Sequence, residues 1–205
     1  VMPEGWACKY TVTPSGPRPL LAFMMPGDSC DLHVGLLAEM DHSIQTITPS
    51  TVAKIEEAEV VELMDHPGVA RAMYTSQLVD EGILRAWITS MGRRTSRERV
   101  AHLMCELYLR ARNVGLTDRQ SVTLPLSQVL LADSLGMTPV HLNRVVRELR
   151  ELGAMELQRG KLIIKDACKM VNAAGFDEKY LHRHLRARPE FLQRQAGTPS
   201  SLGLR

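Results

Sequence analysis

Residues 126–150, Leu-Ser-Gln-Val-Leu-Leu-Ala-Asp-Ser-Leu-Gly-Met-Thr-Pro-Val-His-Leu-Asn-Arg-Val-Val-Arg-Glu-Leu-Arg, read as two short helices joined at a glycine. Ser127 is an N-cap for the first, and Ala132 is small enough for close helix packing. Gly136 supplies the positive φ of the turn, and Thr138 caps the second helix with Pro139 at its first position. Leu142, Val145, Val146 and Leu149 recur at i, i+3, i+4 and i+7, which predicts a buried stripe. Val140, His141, Asn143, Arg144 and Arg147 are left on or beside the open face. This is a helix-turn-helix pattern, and exposed His, Asn and Arg near a helix N-terminus suit base edges in a major groove. An ordinary pair of amphipathic helices in an all-α protein shares the pattern up to this point, so the flanks must decide.

Downstream, Leu152-Gly153 closes the second helix, and Glu156 to Ile164 reads as two short strands about a turn at Arg159-Gly160. That is a wing, with Arg159 and Lys161 at its tip where phosphate would lie. Upstream, Thr95-Ser96-Arg97-Glu98 is a capping box opening a helix that carries Val100, Leu103, Met104, Leu107 and Tyr108 and ends near Arg112. Residues 113–125 are expected to be a loop. A longer helix is expected from a cap at Asp65, with Pro67 in its first turn, to a break at Gly92. Along it Val69, Ala72, Ser76, Val79, Ile83, Ala86 and Ser90 alternate in steps of three and four, and Met73, Leu84, Trp87 and Met91 form a second apolar edge. The first series is the spacing of a two-helix seam and predicts a homodimer; the alternative is a helix buried on both edges within one chain.

Residues 5–56 are strand-like, with segments 6–12, 20–25, 43–48 and 51–56 separated by turns at Pro14-Ser15-Gly16-Pro17, Pro26-Gly27-Asp28 and Pro49. Beyond the wing, helices are expected over 166–174 and 177–186 about Gly175, and the tail from Gln195 is expected to be disordered.

Charge is unevenly spread. Residues 1–91 hold 5 Lys+Arg against 12 Asp+Glu, residues 92–165 hold 13 against 7, and residues 166–205 hold 7 against 4. A formal net charge of +2 thus hides an acidic N-terminal part and a basic remainder, the electrostatic footprint of a polyanion binder. With 44% hydrophobic residues a sizeable core is available. No apolar run approaches the ~20 residues of a membrane span and no basic-then-apolar leader is visible, so the expected setting is cytoplasmic, without a membrane partner. Cys8, Cys30, Cys105 and Cys168 lack CxxC spacing, which argues for free thiols rather than structural zinc or a disulfide scaffold.

The run Gly92-Arg93-Arg94-Thr95-Ser96-Arg97-Glu98-Arg99-Val100-Ala101-His102-Leu103, followed by Val140-His141-Leu142-Asn143-Arg144 and the wing, resembles the Crp/Fnr family of bacterial transcription regulators. Upstream, Glu4-Gly5-Trp6-Ala7, Leu21-Ala22-Phe23 and Pro26-Gly27-Asp28 extend the resemblance. It implies an α+β fold in four parts: a partial antiparallel β-roll (jelly roll) of the cyclic-nucleotide-binding type over 1–64, a dimerisation helix over 65–92, a winged helix-turn-helix over 93–186, and a tail over 187–205. The family's opening strands have no counterpart before Val1, so the roll is expected to be incomplete. The implied function is sequence-specific binding of a pseudo-palindromic operator in double-stranded DNA by a homodimer, with RNA polymerase as a candidate further partner and no enzymatic activity.

Nucleotide-binding members of the family carry a Gly-Glu-Leu segment and an Arg-Ser pair, where this chain has Asp31-Leu32-His33 and His42-Ser43. Loss of the Arg removes the bidentate phosphate partner, so any effector is expected to be a small molecule other than cyclic AMP. The iron–sulfur cysteine cluster of other members is absent too, and no cofactor is expected. On the recognition helix Val140 replaces a frequent Glu and Pro139 replaces the Arg of cyclic-AMP-type members, while Arg144 is retained. Arg144 is therefore the main base-contact candidate, bidentate to a guanine. Asn143 and His141 are secondary, and Val140 is a candidate for a thymine methyl. Ser127, Gln128, Thr138, Arg159 and Lys161 are placed for phosphates. An alternative of another class uses Asp31, His33, Asp41 and His42 as a metal site of a cupin-like sensor or metalloenzyme, without the compact H-x-H spacing usual for such sites.

Overall fold

The computed structural model describes residues 1–14, 18–30 and 39–183. Residues 15–17 of the first expected turn, Asp31-Leu32-His33 and the 187–205 tail lie outside the described residues. The N-terminal part contains an antiparallel sheet of β1 (Ala7–Tyr10), β2 (Leu20–Met24) and β3 (Ser43–Thr46), in the order β2-β1-β3, with Cys8 opposite both Phe23 and Gln45. The chain continues past β3 along Trp6, whose carbonyl accepts from Ile47 N–H at 2.7 Å and whose N–H donates to Thr48 Oγ1 at 2.9 Å.

The strand expected over 51–56 does not form. Only Thr51 bridges, to Glu4. The β-branched Thr51, Val52 and Ile55 are all exposed, and a reciprocal capping box between Glu56 and Glu59 opens a helix instead, α1 (Glu57–Met64). Asp65 ends α1 as its C-cap and does not start the next helix. That helix, α2 (Pro67–Arg93), begins after His66 and runs through Gly92. The break falls at Arg94, which is extended and donates back to Ala86 O at 3.3 Å and Ser90 Oγ at 2.9 Å, satisfying the end of α2.

The capping box at Thr95 and Glu98 opens α3 (Ser96–Asn113), with Thr95 N–H donating to Glu98 Oε2 at 2.7 Å. The expected loop 113–125 contains two short strands, β4 (Thr117–Asp118) and β5 (Ser121–Thr123). They pair with the wing strands β6 (Met155–Gln158) and β7 (Lys161–Ile164) in a sheet of order β4-β5-β7-β6. Between β5 and β6 lie α4 (Gln128–Ser134) and α5 (Pro139–Glu151). α6 (Ala167–Ala174) is capped by Asp166 and ended by Gly175 in the left-handed region. Of the expected helix 177–186, the described residues form a 3₁₀ turn, Glu178–Leu181, ended by His182 at φ 44°, and 184–186 lie outside the described residues.

The core is continuous from the first sheet to the wing. Trp6, Phe23 and Met25 join Val100, Met104, Leu107 and Ala111 of α3, which in turn join Leu131, Leu142, Leu149 and Leu162. Each such large side chain contributes about 1.5–3 kcal/mol when fully buried, so α3 is the beam on which the helix-turn-helix and the wing are hung. The four cysteines are free. Among the described residues no helix is long and apolar enough to cross a membrane.

Candidate nucleic-acid interface

Both helices of the 126–150 motif are set by their caps. Leu130 N–H donates to Ser127 Oγ at 3.1 Å and His141 N–H donates to Thr138 Oγ1 at 3.2 Å. Gly136 has φ 60°, the conformation that calls for glycine, and the Met91 side chain from the end of α2 packs over it. Leu142, Val145, Val146 and Leu149 are buried. The opposite face is open: Val140 is 80% exposed, and Asn143, Arg144 and Arg147 are exposed as well.

The structure brings the sequence-derived site residues together in pairs. An Arg144 guanidinium N lies 2.9 Å from Nδ1 of His141, one turn earlier on the same face. Asn143 Nδ2 donates to Gln128 Oε1 at 3.0 Å, tying the recognition helix α5 to the first turn of α4. His141 is half-buried, and its Nε2 is enclosed without a hydrogen-bond partner, so it is the least accessible of the four base-contact candidates. Ser127, Gln128 and Thr138 stand exposed at the starts of the two helices, where free N–H groups and the helix dipole favour an anion.

Arg159 and Lys161 are exposed at the β6–β7 turn. Arg159 has φ 49° and Gly160 φ 77°, the two successive positive values that a tight two-residue hairpin needs to match strand twist. A Cβ on Gly160 would lie 2.7 Å from the Leu124 carbonyl, and Gly160 O accepts from Leu124 N–H at 2.7 Å. The wing tip is thereby pinned to the segment just before α4.

Three further residues reach this surface. Thr95, Ser96 and Arg97, at the N-terminus of α3, line a cleft of about 330 Å³ with His141, Arg144, Val145 and Glu148. The capping box showed where α3 starts, but its nearness to α5 is a tertiary fact. Glu98 in that box has its carboxyl held below the usual range by hydrogen bonds from the Thr95 backbone and side chain.

Part of the α2 series expected to form a seam is enclosed by the chain itself. Val79, Ile83 and Ser90 are buried within the chain, the first two against Leu181; Val69, Ser76 and Ala86 are half-buried, and Ala72 is exposed. A neighbouring stripe is open instead: Tyr74 (62% exposed), Leu78 (56%) and Ile88 (71%), with Leu84 and Met91 from the expected second edge beside it. On the metal reading, His42 Nδ1 lies 2.7 Å from Asp41 Oδ1, and this contact lowers the Asp41 pKa. Asp31 and His33 lie outside the described residues, and among those described no cluster of three or more His, Cys, Asp or Glu could hold a metal ion.

Residues 98–172, from α3 through the wing into α6, match the Crp-like helix-turn-helix domain. The chain is 27% identical over 169 residues to the nitrogen fixation regulation protein FixK of Bradyrhizobium diazoefficiens, covering 82% of this chain and 70% of that protein. Over the helix-turn-helix the chain is similar to the Crp/Fnr transcription regulators. Another relative is the transcriptional activator protein FnrL of Cereibacter sphaeroides, 29% identical over 117 residues, which are 54% of this chain and 46% of that one. The solved structure of FixK2 from Bradyrhizobium japonicum superposes with a TM-score of 0.71 at 21% identity, over 86% of each chain, and shares the fold. The chain spans from 42% to 70% of the length of the curated relatives it matches. These relatives are regulators rather than enzymes, in line with the α+β fold and helix-turn-helix read from the sequence.

Proposed function

We propose that this chain binds a pseudo-palindromic DNA operator as a homodimer, each subunit placing α5 in a major groove. The observation that carries the reading is the division of α5: four apolar residues buried on one side, and Val140, Asn143 and Arg144 exposed at the N-terminal end of the other. Arg144 reads a guanine, Asn143 and His141 contact neighbouring bases, and Val140 meets a thymine methyl. Ser127, Gln128, Thr138, Arg159 and Lys161 hold phosphates, joined by Arg97 and the N-terminus of α3 across the cleft beside Arg144.

Pairing runs along α2, on the stripe of Tyr74, Leu78 and Ile88, because Val79 and Ile83 of the expected seam are already covered by the chain's own C-terminal segment and Ser90 is held by Arg94. The division into 1–64, 65–92, 93–186 and 187–205, a cytoplasmic setting, RNA polymerase as a further partner and a small-molecule effector other than cyclic AMP belong to the same reading. Selection of bound duplexes from a random-sequence pool tests it. The expected product is an inverted repeat whose half-sites lie about one helical turn, ~34 Å, apart. Recovery of no enriched sequence, or of single half-sites bound by a monomer, refutes it.

A further inference from the structure

The C-terminal part of the described chain lies in the groove between α2 and α3, and its buried polar contacts are not used by the DNA-binding reading. After Gly175, Phe176 and Tyr180 pack on the buried His102 ring, at centroid distances of 4.9 Å and 5.7 Å, Tyr180 nearly parallel to it. Leu181 is buried against Val79 and Ile83 of α2. The Tyr180 hydroxyl donates to Glu106 Oε2 at 2.9 Å, and Arg183 Nε donates to Asn113 Oδ1 at 2.9 Å near the end of α3. His102, Glu106 and Asn113 lie along one stripe of α3, so the segment follows that helix while gripping α2 with its other side.

Glu106 is the meeting point. Fully enclosed, it also accepts from Trp87 Nε1 of α2 at 3.1 Å and faces Arg110 at 3.5 Å. Arg110 in turn donates to Phe23 O at 2.8 Å and Asp28 Oδ2 at 2.7 Å, in β2 and the turn after it. One network therefore touches the first sheet, α2, α3 and the C-terminal segment. It is one bond short: the Arg110 nitrogen nearest Glu106 is buried without a hydrogen bond. A polar network left partly satisfied in a low-dielectric core is held closed by its surroundings and gains when water enters.

We propose that residues 176–183 are a strap, latched on Glu106, that locks the winged helix onto α2 and so fixes the hinge at Arg94. When the strap is closed, the angle between α2 and α3 is set. When Tyr180 leaves Glu106, α2 loses the covering of Val79 and Ile83, and the hinge keeps the Arg94 bonds to α2, the Trp87–Glu106 bond and the Met91 contact on Gly136. Asp28 is the far end of the same network, so a shift in the turn after β2 reaches the latch through Arg110. The strap does not depend on what the winged helix binds; its consequence for affinity rests on the DNA reading above.

Gly82 provides a test that leaves the strap's own residues intact. A Cβ at this position would stand 2.9 Å from the Tyr180 carbonyl oxygen, a backbone atom that cannot swing aside. In an unstrapped helix the same Gly82→Ala change favours helix formation. Hydrogen exchange on the full chain would compare Gly82→Ala and the milder Tyr180→Phe with the unaltered protein. Both are expected to raise amide exchange over 176–182 and over 79–90 by about tenfold, the value of one lost buried hydrogen bond, with α5 and the wing unchanged. Affinity for a duplex selected with the unaltered chain is expected to change by at least about fivefold in Gly82→Ala, with the base preference kept. Unchanged exchange over 176–182 in both variants overturns the strap, as does a uniform rise that includes α5. Raised exchange with unaltered affinity overturns the hinge lock. If the unaltered chain selects no duplex, the DNA reading fails and the exchange result alone decides the strap.

Discussion

Arg144→Ala and Lys161→Ala separate reading of bases from holding of phosphates. Arg144 is exposed, and its hydrogen bond among the described residues goes to His141 on the same helix. Removing an exposed arginine with one such partner costs folding no more than about 0.5 kcal/mol, so a loss of binding in the variant belongs to the DNA. A bidentate arginine–guanine pair contributes about 1–3 kcal/mol of discrimination, which predicts an affinity loss of roughly 5- to 150-fold per half-site. The loss is confined to operators that carry the guanine. Lys161 lies on the wing beside a turn pinned to Leu124, and its loss is expected to weaken all sequences alike and to reduce the salt slope by about 0.9 per subunit. Anisotropy titrations of both variants against an operator series, one base pair changed at a time and repeated at several salt concentrations, read the two effects separately. If Arg144→Ala keeps the full base preference and loses thermal stability, the residue pairs within the protein, for instance with Glu148, and leaves the site.

Three further outcomes are expected. Burial pushes the His102 pKa down to about 4 from 6.5, so its share of stability is present above about pH 6.5 and is lost as the pH falls toward 4. That is ~3 kcal/mol by linkage, while Glu106, whose pKa burial raises, gains from the same acidification; urea titrations from pH 7 to 4 on the native chain and on His102→Phe isolate the histidine. Ile88→Glu is expected to leave the melting temperature nearly unchanged and convert a dimer to monomers in analytical ultracentrifugation. Ile83→Glu buries a charge beside Leu181 and is expected to destabilise the fold by ~3 kcal/mol or more; equal behaviour of the two variants refutes the assignment of faces. Millimolar cyclic AMP is expected to leave thermal unfolding unchanged, whereas a bound ligand at about 100 times its Kd would add ~2.7 kcal/mol.

The helix-turn-helix was legible in the sequence because each of its determinants is local. Ser127 and Thr138 cap, Gly136 and Gly160 turn, and the α5 stripe repeats at helical spacing, all within a few residues of where they act. The errors have a different character. Thr51, Val52 and Ile55 carry strand propensity, but pairing with the N-terminal segment ends after the Glu4 bridge and the reciprocal Val1–Ala53 hydrogen bonds, and a glutamate pair starts α1 instead. The heptad series on α2 identified an apolar edge and not its partner: Val79 and Ile83 are covered by Leu181, from the far end of the chain. The pairing of β4 and β5 with the wing, the cleft beside Arg97 and the Glu106 network likewise join residues distant in sequence, and no local pattern announces them.

The order β4-β5-β7-β6 bears on how a signal can act. Because β5 and β7 are neighbours, α4 and α5 form an excursion whose two ends are stitched together by a ladder, Ser121 to Ile163 and Thr123 to Lys161. The recognition helix and the wing tip therefore belong to one closed loop of chain, and neither can be advanced along a groove without the other. The spacing between the two is set by that ladder, within the sheet itself. On the DNA-binding reading proposed above, an upstream event that tilts or translates this block as a whole changes whether two blocks match the spacing of two half-sites and leaves the bases that one block prefers unchanged.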